Sequence, residues 1–451
     1  MNMLQNRVPS LRPLCAASAT VFCLALTALP NAHAAKVFML GGSVAQENTE
    51  IYAGLRATTA RNWNPDTASD TNCSTDWDTT TCPRIAVVTA SAVGSSSGEA
   101  VFTTDSGTIN SFSYFKLFER HGFSPKHISA HIDNFETDAY VGNPAGDANI
   151  AIVNQADIIF FNGGDQSRAA RTFLTASGAD TPLMAIIRRR VERGQLVMAG
   201  TSAGTMVQGQ TMYGEGSAYG YIHFNGSLAA KPADSLTGLK NDLAGTTDLA
   251  YWQNGGKMPG FGFAGEGIAV DTHCNKRGRV IRNIVAMKSL DKTQGICVDE
   301  DTALYLDGHL GTVFGSNGVT VADTSMARFD GETHFKVSGA KLTYLTSGDS
   351  YDFSQKRAIS SKPPIVERMA AGLIESANIL APDEITKAIT RVVGSDALAQ
   401  LGNAPAPNLP NGFSFGADAK VYKIKFYKNE NTVGYFSAGK TTAVNVLVDI
   451  D

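Results

Sequence analysis

Outside its first 34 residues the sequence has no long apolar run, so no other segment has the length to cross a bilayer as a helix. It also lacks an excess of positive charge. Lys plus Arg number 38 against 42 Asp plus Glu, which gives no support to a nucleic-acid partner. Charged residues are only 18% of the chain and hydrophobic ones 43%, ordinary globular material with enough apolar side chains for one large domain or two smaller ones. No internal repeat is evident, which argues against a solenoid or propeller.

Cysteine is scarce as well. Of six cysteines, Cys15 and Cys23 lie in the N-terminal segment, neither in a lipoprotein cleavage context. The other four are not spaced as a zinc site, and no motif calls for a metal or cofactor. In the N-terminal segment Arg7 and Arg12 precede an apolar run over 14–29 that ends at Ala32-His33-Ala34. This is the pattern of a secretory signal peptide, too short for a stable anchor, so the mature chain is expected to begin near Ala35 and to be secreted or periplasmic, with no membrane partner. Loss of two arginines and no acid makes the formal charge of −4 more negative still. An oxidising compartment favours disulfides. Cys73 and Cys82 bracket a polar loop and are the favoured pair, which leaves Cys274 with Cys297; three connectivities are open.

Apolar, β-rich runs at 36–40, 84–89, 157–161 and 195–199 alternate with helical patterns, among them one over 111–120 with Phe112, Phe115 and Phe118 and another over 167–175. This predicts an α/β fold: a mostly parallel sheet with helices on both faces. Residues 43–82 and 211–258, rich in Gly, Ser, Thr, Asn and Asp, read as long surface insertions. Beyond about residue 354 the pattern changes to helices near 365–377 and 382–393, a Pro-rich stretch, and alternating runs at 421–427 and 442–448. The expected organisation is a signal peptide 1–34, a main domain 35–353, and a small C-terminal α+β extension 354–451 with its own hairpin packed on the main domain.

Chemistry concentrates at three places. Gly200-Thr-Ser-Ala-Gly204 follows a buried strand, itself preceded by a well-punctuated helix with Thr181 as N-cap, Pro182 first and Gly194 after its last turn. Ser202 is thereby put on a strand-to-helix elbow, exposed and flanked by small residues, which reads as a nucleophile. A serine needs a base and an orienting acid. Among seven histidines of the mature chain, His273 stands apart, set among Asp271, Arg277, Arg279 and Arg282. The acid is sought in Asp299-Glu300-Asp301, at the end of an apolar run.

Together with Gly163-Gly-Asp-Gln166 and the later segment 341–349, these motifs resemble, in order, the cyanophycinases. That serine-peptidase family also contains peptidase E, an aspartyl dipeptidase, and its fold is similar to class I glutamine amidotransferases. The resemblance implies Ser202 as nucleophile, His273 as base and Glu300 as acid, with Asp299 and Asp301 as competitors for the last role. It implies an oxyanion hole at Gly164 and Ala203, and substrate contacts at Gln166, Asp271, Arg277, Arg279 and Arg282. Thr272 and Cys274 depart from the Gln and Phe that commonly flank the histidine, and the insertion after Ser202 is longer. The implied partner is a polymeric peptide, cyanophycin, whose repeat of aspartate carrying an arginine would be released as β-Asp-Arg dipeptides. A homodimer is a further expectation of the resemblance. The alternatives are a secreted aspartyl dipeptidase, a serine esterase and a non-catalytic binding protein.

Overall fold

The computed structural model describes residues 35–59, 73–105, 112–230, 255–370, 372, 375–409 and 414–451. The expected signal segment 1–34 lies outside them. Among the described residues no helix is long and apolar enough to cross a membrane.

Five strands form the parallel part of a nine-stranded sheet: β1 (Lys36–Leu40), β2 (Arg84–Val88), β3 (Ser124–Ile128), β4 (Ile158–Phe161) and β5 (Val197–Thr201). Their spatial order is β3-β2-β4-β5-β1. Along β1, Val37 and Met39 enter one apolar cluster while Phe38 and Leu40 enter another. Both faces are therefore covered, which is why these strands read as continuous apolar runs. The helix Pro182–Glu192 forms as its punctuation predicts. The Thr181 side chain accepts from the Met184 N–H, and Leu183, Met184, Ile187 and Val191 are buried. Beyond β1 the same sheet continues antiparallel through Thr302–Asp307, Leu310–Gly315, Ser350–Asp352 and Arg357–Ile359.

A second, ten-stranded sheet departs most from the sequence reading. Its edge is a parallel pair, Ile268–Thr272 with Gln294–Val298, joined by the helix Arg279–Leu290. It then runs antiparallel through Gly318–Asp323 and Val337–Thr346 to Lys440–Ile450, Tyr422–Tyr427 and Ala399–Ala404. The expected runs do pair antiparallel, Tyr422–Tyr427 with Lys440–Ile450, and the pair is also hydrogen-bonded into a sheet that carries strands of the main region. The apolar faces of Val446, Val448 and Ile450 need a partner strand, and Val337–Thr346 supplies it. The helix Glu384–Gly394 forms near its expected place. Among the described residues of 365–377 there is no helix; Ile365 and Met369 instead donate to the carbonyls of Gly434 and Gly394.

The two presumed surface insertions also contribute core where described. Thr49–Ala57 is a helix that buries Ile51, Tyr52 and Leu55. Tyr213, Tyr219 and Tyr221 are buried, from a strand Thr211–Gly214 and a helix Ala218–His223. Their aromatics outweighed the surrounding polar composition. Because Lys440–Ile450 pairs centrally in the second sheet, deleting residues 354–451 should leave the long edge Val337–Thr346 open. A chain ending at residue 353 should then be recovered as aggregate, checked by solution scattering against the full chain; a monodisperse, folded fragment would show the extension to be dispensable.

Candidate active site

The site is assembled around the carboxyl end of β1. Register places Leu40 beside Thr201 of β5 on one side and Ala303 on the other. The Ser202 N–H donates to the Leu40 carbonyl at 3.0 Å, the His273 N–H to that of Gly41 at 2.9 Å and the Asp301 N–H to that of Gly42 at 3.1 Å. Successive peptide groups of one strand end thereby hold the three chemical segments. His273 and Glu300 leave the parallel strands Ile268–Thr272 and Gln294–Val298 at the same end, since Thr272 is in register with Val298.

Side-chain geometry completes a relay. Ser202 Oγ is 2.7 Å from His273 Nε2, and His273 Nδ1 is 2.7 Å from Glu300 Oε1. Ser202 (φ 53°) and His273 (φ 56°) both adopt positive φ, as do Ser43 and Asp301 around them. Non-glycine residues held this way cost roughly 1–3 kcal/mol each and persist only where the surroundings fix them. At the elbow the fixing is tight: a Cβ on Gly200 would lie 2.2 Å from the Gly204 carbonyl, and one on Gly204 2.1 Å from that of Phe161. Thr205 Oγ1 donates to the carbonyls of Leu40 and Gly200, locking the first turn after the serine.

The three clustered acids have separate tasks. Asp299 is buried and accepts from the Tyr344 hydroxyl at 3.0 Å; burial pushes its carboxyl up to about 7. Asp301 accepts from the Ala45 N–H and the Asn48 side chain, shaping the loop after β1. Glu300 alone of the three meets the imidazole. Its N–H donates to Asn275 Oδ1, its carbonyl accepts from Asn317, and the hydrogen bond from His273 holds its carboxyl below the ordinary value. Burial lowers the His273 imidazole, partly offset by the Glu300 hydrogen bond. A neutral imidazole beside an ionised carboxylate is the state that accepts a serine proton.

Both disulfides form in the favoured pairing, Cys73–Cys82 and Cys274–Cys297. The second joins the residue after His273 to the strand that delivers Glu300.

The expected substrate residues are divided by burial. Asp271 and Arg282 are buried and pair with each other, Nη2 to Oδ1 at 2.6 Å and Nε to Oδ2 at 2.9 Å. The Tyr213 hydroxyl donates to the same carboxylate at 3.1 Å, and Arg279, also buried, donates to the Thr272 carbonyl. Gln166 is buried with its amide donating to the Tyr213 carbonyl. Read from sequence as clamps and acceptors for a ligand, Asp271 and Arg282 instead satisfy one another, because a buried charge without a partner is too costly. Arg277 is only half-buried and lines a cavity of about 450 Å³ with Tyr219, Asn378, Leu380 and Pro405–Asn408 of the C-terminal segment. A second cavity, of about 360 Å³, opens beside Ser202 and is lined by Gly42, Ser43, Tyr52, Tyr114, Phe160 and Gly163.

At the expected oxyanion hole, Ala203 begins the short helix after the serine and Gly164 (φ 141°) packs against the Ser91 carbonyl. Gly163, which the sequence reading passed over for this role, lies beside the serine, a Cβ there falling 3.3 Å from that of Ser202. Gly41 and Gly42, given no role from sequence, and Ser43, taken as the start of a surface insertion, were also missed. The available signal was a glycine pair directly after an apolar strand. Gly42 has φ 98°, and a Cβ there would meet His273 Cε1 at 2.2 Å.

Residues 116–227 match the family described as Peptidase family S51. The chain is 30% identical over 221 residues to a cyanophycinase of Trichormus variabilis, covering 47% of this chain and 61% of that protein. It is also 30% identical over 207 residues to a cyanophycinase of Geminocystis herdmanii, covering 44% and 64%. The chain thus spans about three fifths of the length of these relatives. Among solved structures, a peptidase from an acI-B1 Actinobacterium aligns with 17% identity and TM-score 0.41 over 72% of this chain and 98% of that one. A putative peptidase E from Listeria monocytogenes aligns with 11% identity and TM-score 0.34 over 62% and 98%.

Three expectations follow from the geometry. In Gly42→Ala the new methyl should displace the imidazole, and a misplacement near 1 Å lowers kcat by about 100-fold with the fold retained, measurable by steady-state kinetics and circular dichroism. Rate should fall as pH drops through a midpoint below the ordinary histidine value of about 6.5, because protonated His273 accepts no proton. Glu300→Gln removes an influence that raises His273, so the midpoint should move further to acid while kcat drops by about 10⁴-fold; an unchanged pH–rate profile would detach the carboxylate from the base. By matched segment and by sequence relatives, this chain is similar to Peptidase family S51 over residues 116–227 and to a cyanophycinase over 221 residues.

Proposed function

We propose that the chain is a serine peptidase of cyanophycinase type, exported from the cell, which releases β-Asp-Arg dipeptides from cyanophycin through an acyl-enzyme on Ser202. The observation that carries the reading is the unbroken hydrogen-bonded sequence from the Ser202 hydroxyl through His273 to Glu300. Ser202 Oγ attacks an aspartyl main-chain carbonyl as His273 Nε2 takes its proton. Backbone N–H groups near Ala203 and the Gly163–Gly164 turn steady the developing oxyanion. His273 then returns the proton to the leaving amine, and water, activated by the same imidazole, releases the acyl group. Glu300 stays ionised throughout and stabilises the imidazolium.

Substrate choice is supported by the relatives, which are cyanophycinases, and by Arg277, a guanidinium suited to the free carboxylate that each arginine branch of the polymer carries. Export is supported by the N-terminal pattern and by two disulfides, and fits a granular polymer that no cell could import whole. Purified protein incubated with cyanophycin granules should release β-Asp-Arg, identified by mass, and Ser202→Ala should fold normally but release none. Hydrolysis of dipeptides with N-terminal aspartate, with granules untouched, would transfer the chain to the aspartyl dipeptidase reading. Turnover by Ser202→Ala would remove the nucleophile assignment.

A further inference from the structure

Away from Ser202, His223, His334 and Asp418 bring one ligand atom each to within 4.8 Å of one another. They come from stretches far apart in the chain. His223 ends the helix Ala218–His223, His334 lies just before the strand Val337–Thr346, and Asp418 just before Tyr422–Tyr427. The two imidazoles stack with centroids 4.9 Å apart. Asp418 approaches both, Oδ1 at 3.7 Å from His223 Nε2 and Oδ2 at 4.0 Å from His334 Nε2.

The surroundings orient the His334 ring as a ligand needs, and the partners of His223 allow the same tautomer once its proton moves. His334 Nδ1 is 2.8 Å from the His223 carbonyl, which only accepts, so Nδ1 carries the proton and Nε2 presents a lone pair toward Asp418. His223 Nδ1 is 2.8 Å from the Tyr422 hydroxyl and Nε2 is 3.0 Å from the Phe415 carbonyl. The hydroxyl can donate or accept. The Phe415 carbonyl only accepts, so in the empty site Nε2 carries the proton; metal binding would move it to Nδ1, with Tyr422 turning to accept it and Nε2 left to bind, with no net change in protonation. A ring nitrogen fixed by an outer partner while the other points at a carboxylate is the arrangement that metal-bound histidines adopt.

We propose that His223, His334 and Asp418 form a binding site for a divalent transition metal of zinc type, with the Phe415 carbonyl or a water as the fourth ligand. Two imidazole nitrogens with oxygen donors suit such an ion. Bond lengths of about 2.0–2.2 Å put tetrahedral ligands roughly 3.3–3.5 Å apart, so the cluster closes by up to about 1.5 Å. Asp418, 63% exposed and two residues after Gly416 (φ 104°), is placed to make that movement. The ion would tie the C-terminal segment to the helix whose Tyr219 hydroxyl already donates to the Lys420 carbonyl and which lines the Arg277 cavity. The site would therefore be structural, remote from the serine chemistry.

The full chain, stripped with EDTA and titrated with Zn²⁺ by calorimetry, should bind one equivalent and gain thermal stability; Co²⁺ should develop visible absorption of a nitrogen–oxygen site. His334→Gln and Asp418→Asn should each weaken binding at least about tenfold, and Tyr422→Phe, which removes only the outer partner, by about 10–100-fold. No saturable equivalent in the parent chain, or unchanged affinity in both His334→Gln and Asp418→Asn, would overturn the proposal. These readouts are metal affinity and spectrum, so they stand apart from the outcome of any peptidase assay.

Discussion

Three backbone hydrogen bonds to consecutive carbonyls, Leu40, Gly41 and Gly42, are the constraint on which the candidate site rests. One belongs to the serine segment, one to the histidine segment and one to the acid segment. Without them two sheets would present their residues from separate directions, and side-chain distances of 2.7 Å would depend on flexible packing alone. Glycine at 41 follows from the same constraint, since a Cβ there would lie 1.8 Å from the Asp299 carbonyl. Backbone-to-backbone contact of this closeness leaves no room for a side chain.

Below the relay lies a polar layer, and its energetics differ from those of the relay itself. Asp271, Arg282, Tyr213 and Asn283 are hydrogen-bonded to one another out of solvent. Such a pair contributes little net stability over an apolar equivalent, yet removing one partner costs about 3–5 kcal/mol. Its physical consequence is positional. Asp271 precedes His273 by two residues on the same strand end, so the ion pair fixes the floor on which the imidazole stands.

The parts of the site encoded locally were legible in the sequence. Thr181, Pro182 and Gly194 punctuate a helix, and the small residues around Ser202 permit an elbow, all within a short stretch of chain. His273 was marked by its charged neighbours, and the acid only as one of Asp299, Glu300 and Asp301 at the end of an apolar run, the family resemblance singling out Glu300. What escaped depends on distant partners. Nothing local in 440–450 announces that it pairs with 337–346, since alternating apolar residues fit any partner with a matching face. Tyr213 was assigned to the surface because Gly, Ser and Asn surround it, although its own aromatic ring argued otherwise. The charges at Asp271 and Arg282 were seen correctly, but whether a guanidinium meets a ligand or a carboxylate of its own chain is decided only in three dimensions.

The Cys274–Cys297 bond has a consequence for where and when the centre becomes ordered. It spans 23 residues, and closing such a loop removes roughly 3 kcal/mol of chain entropy from the unfolded ensemble. One sulfur adjoins the imidazole residue; the other is three residues before the carboxylate. In a reducing interior the base and its acid would be held by the sheet and the helix between them, without this covalent strap. The electron balance of the surroundings thereby sets the rigidity of the pair, and a chain folded before oxidation would be a looser precursor of the one folded after it.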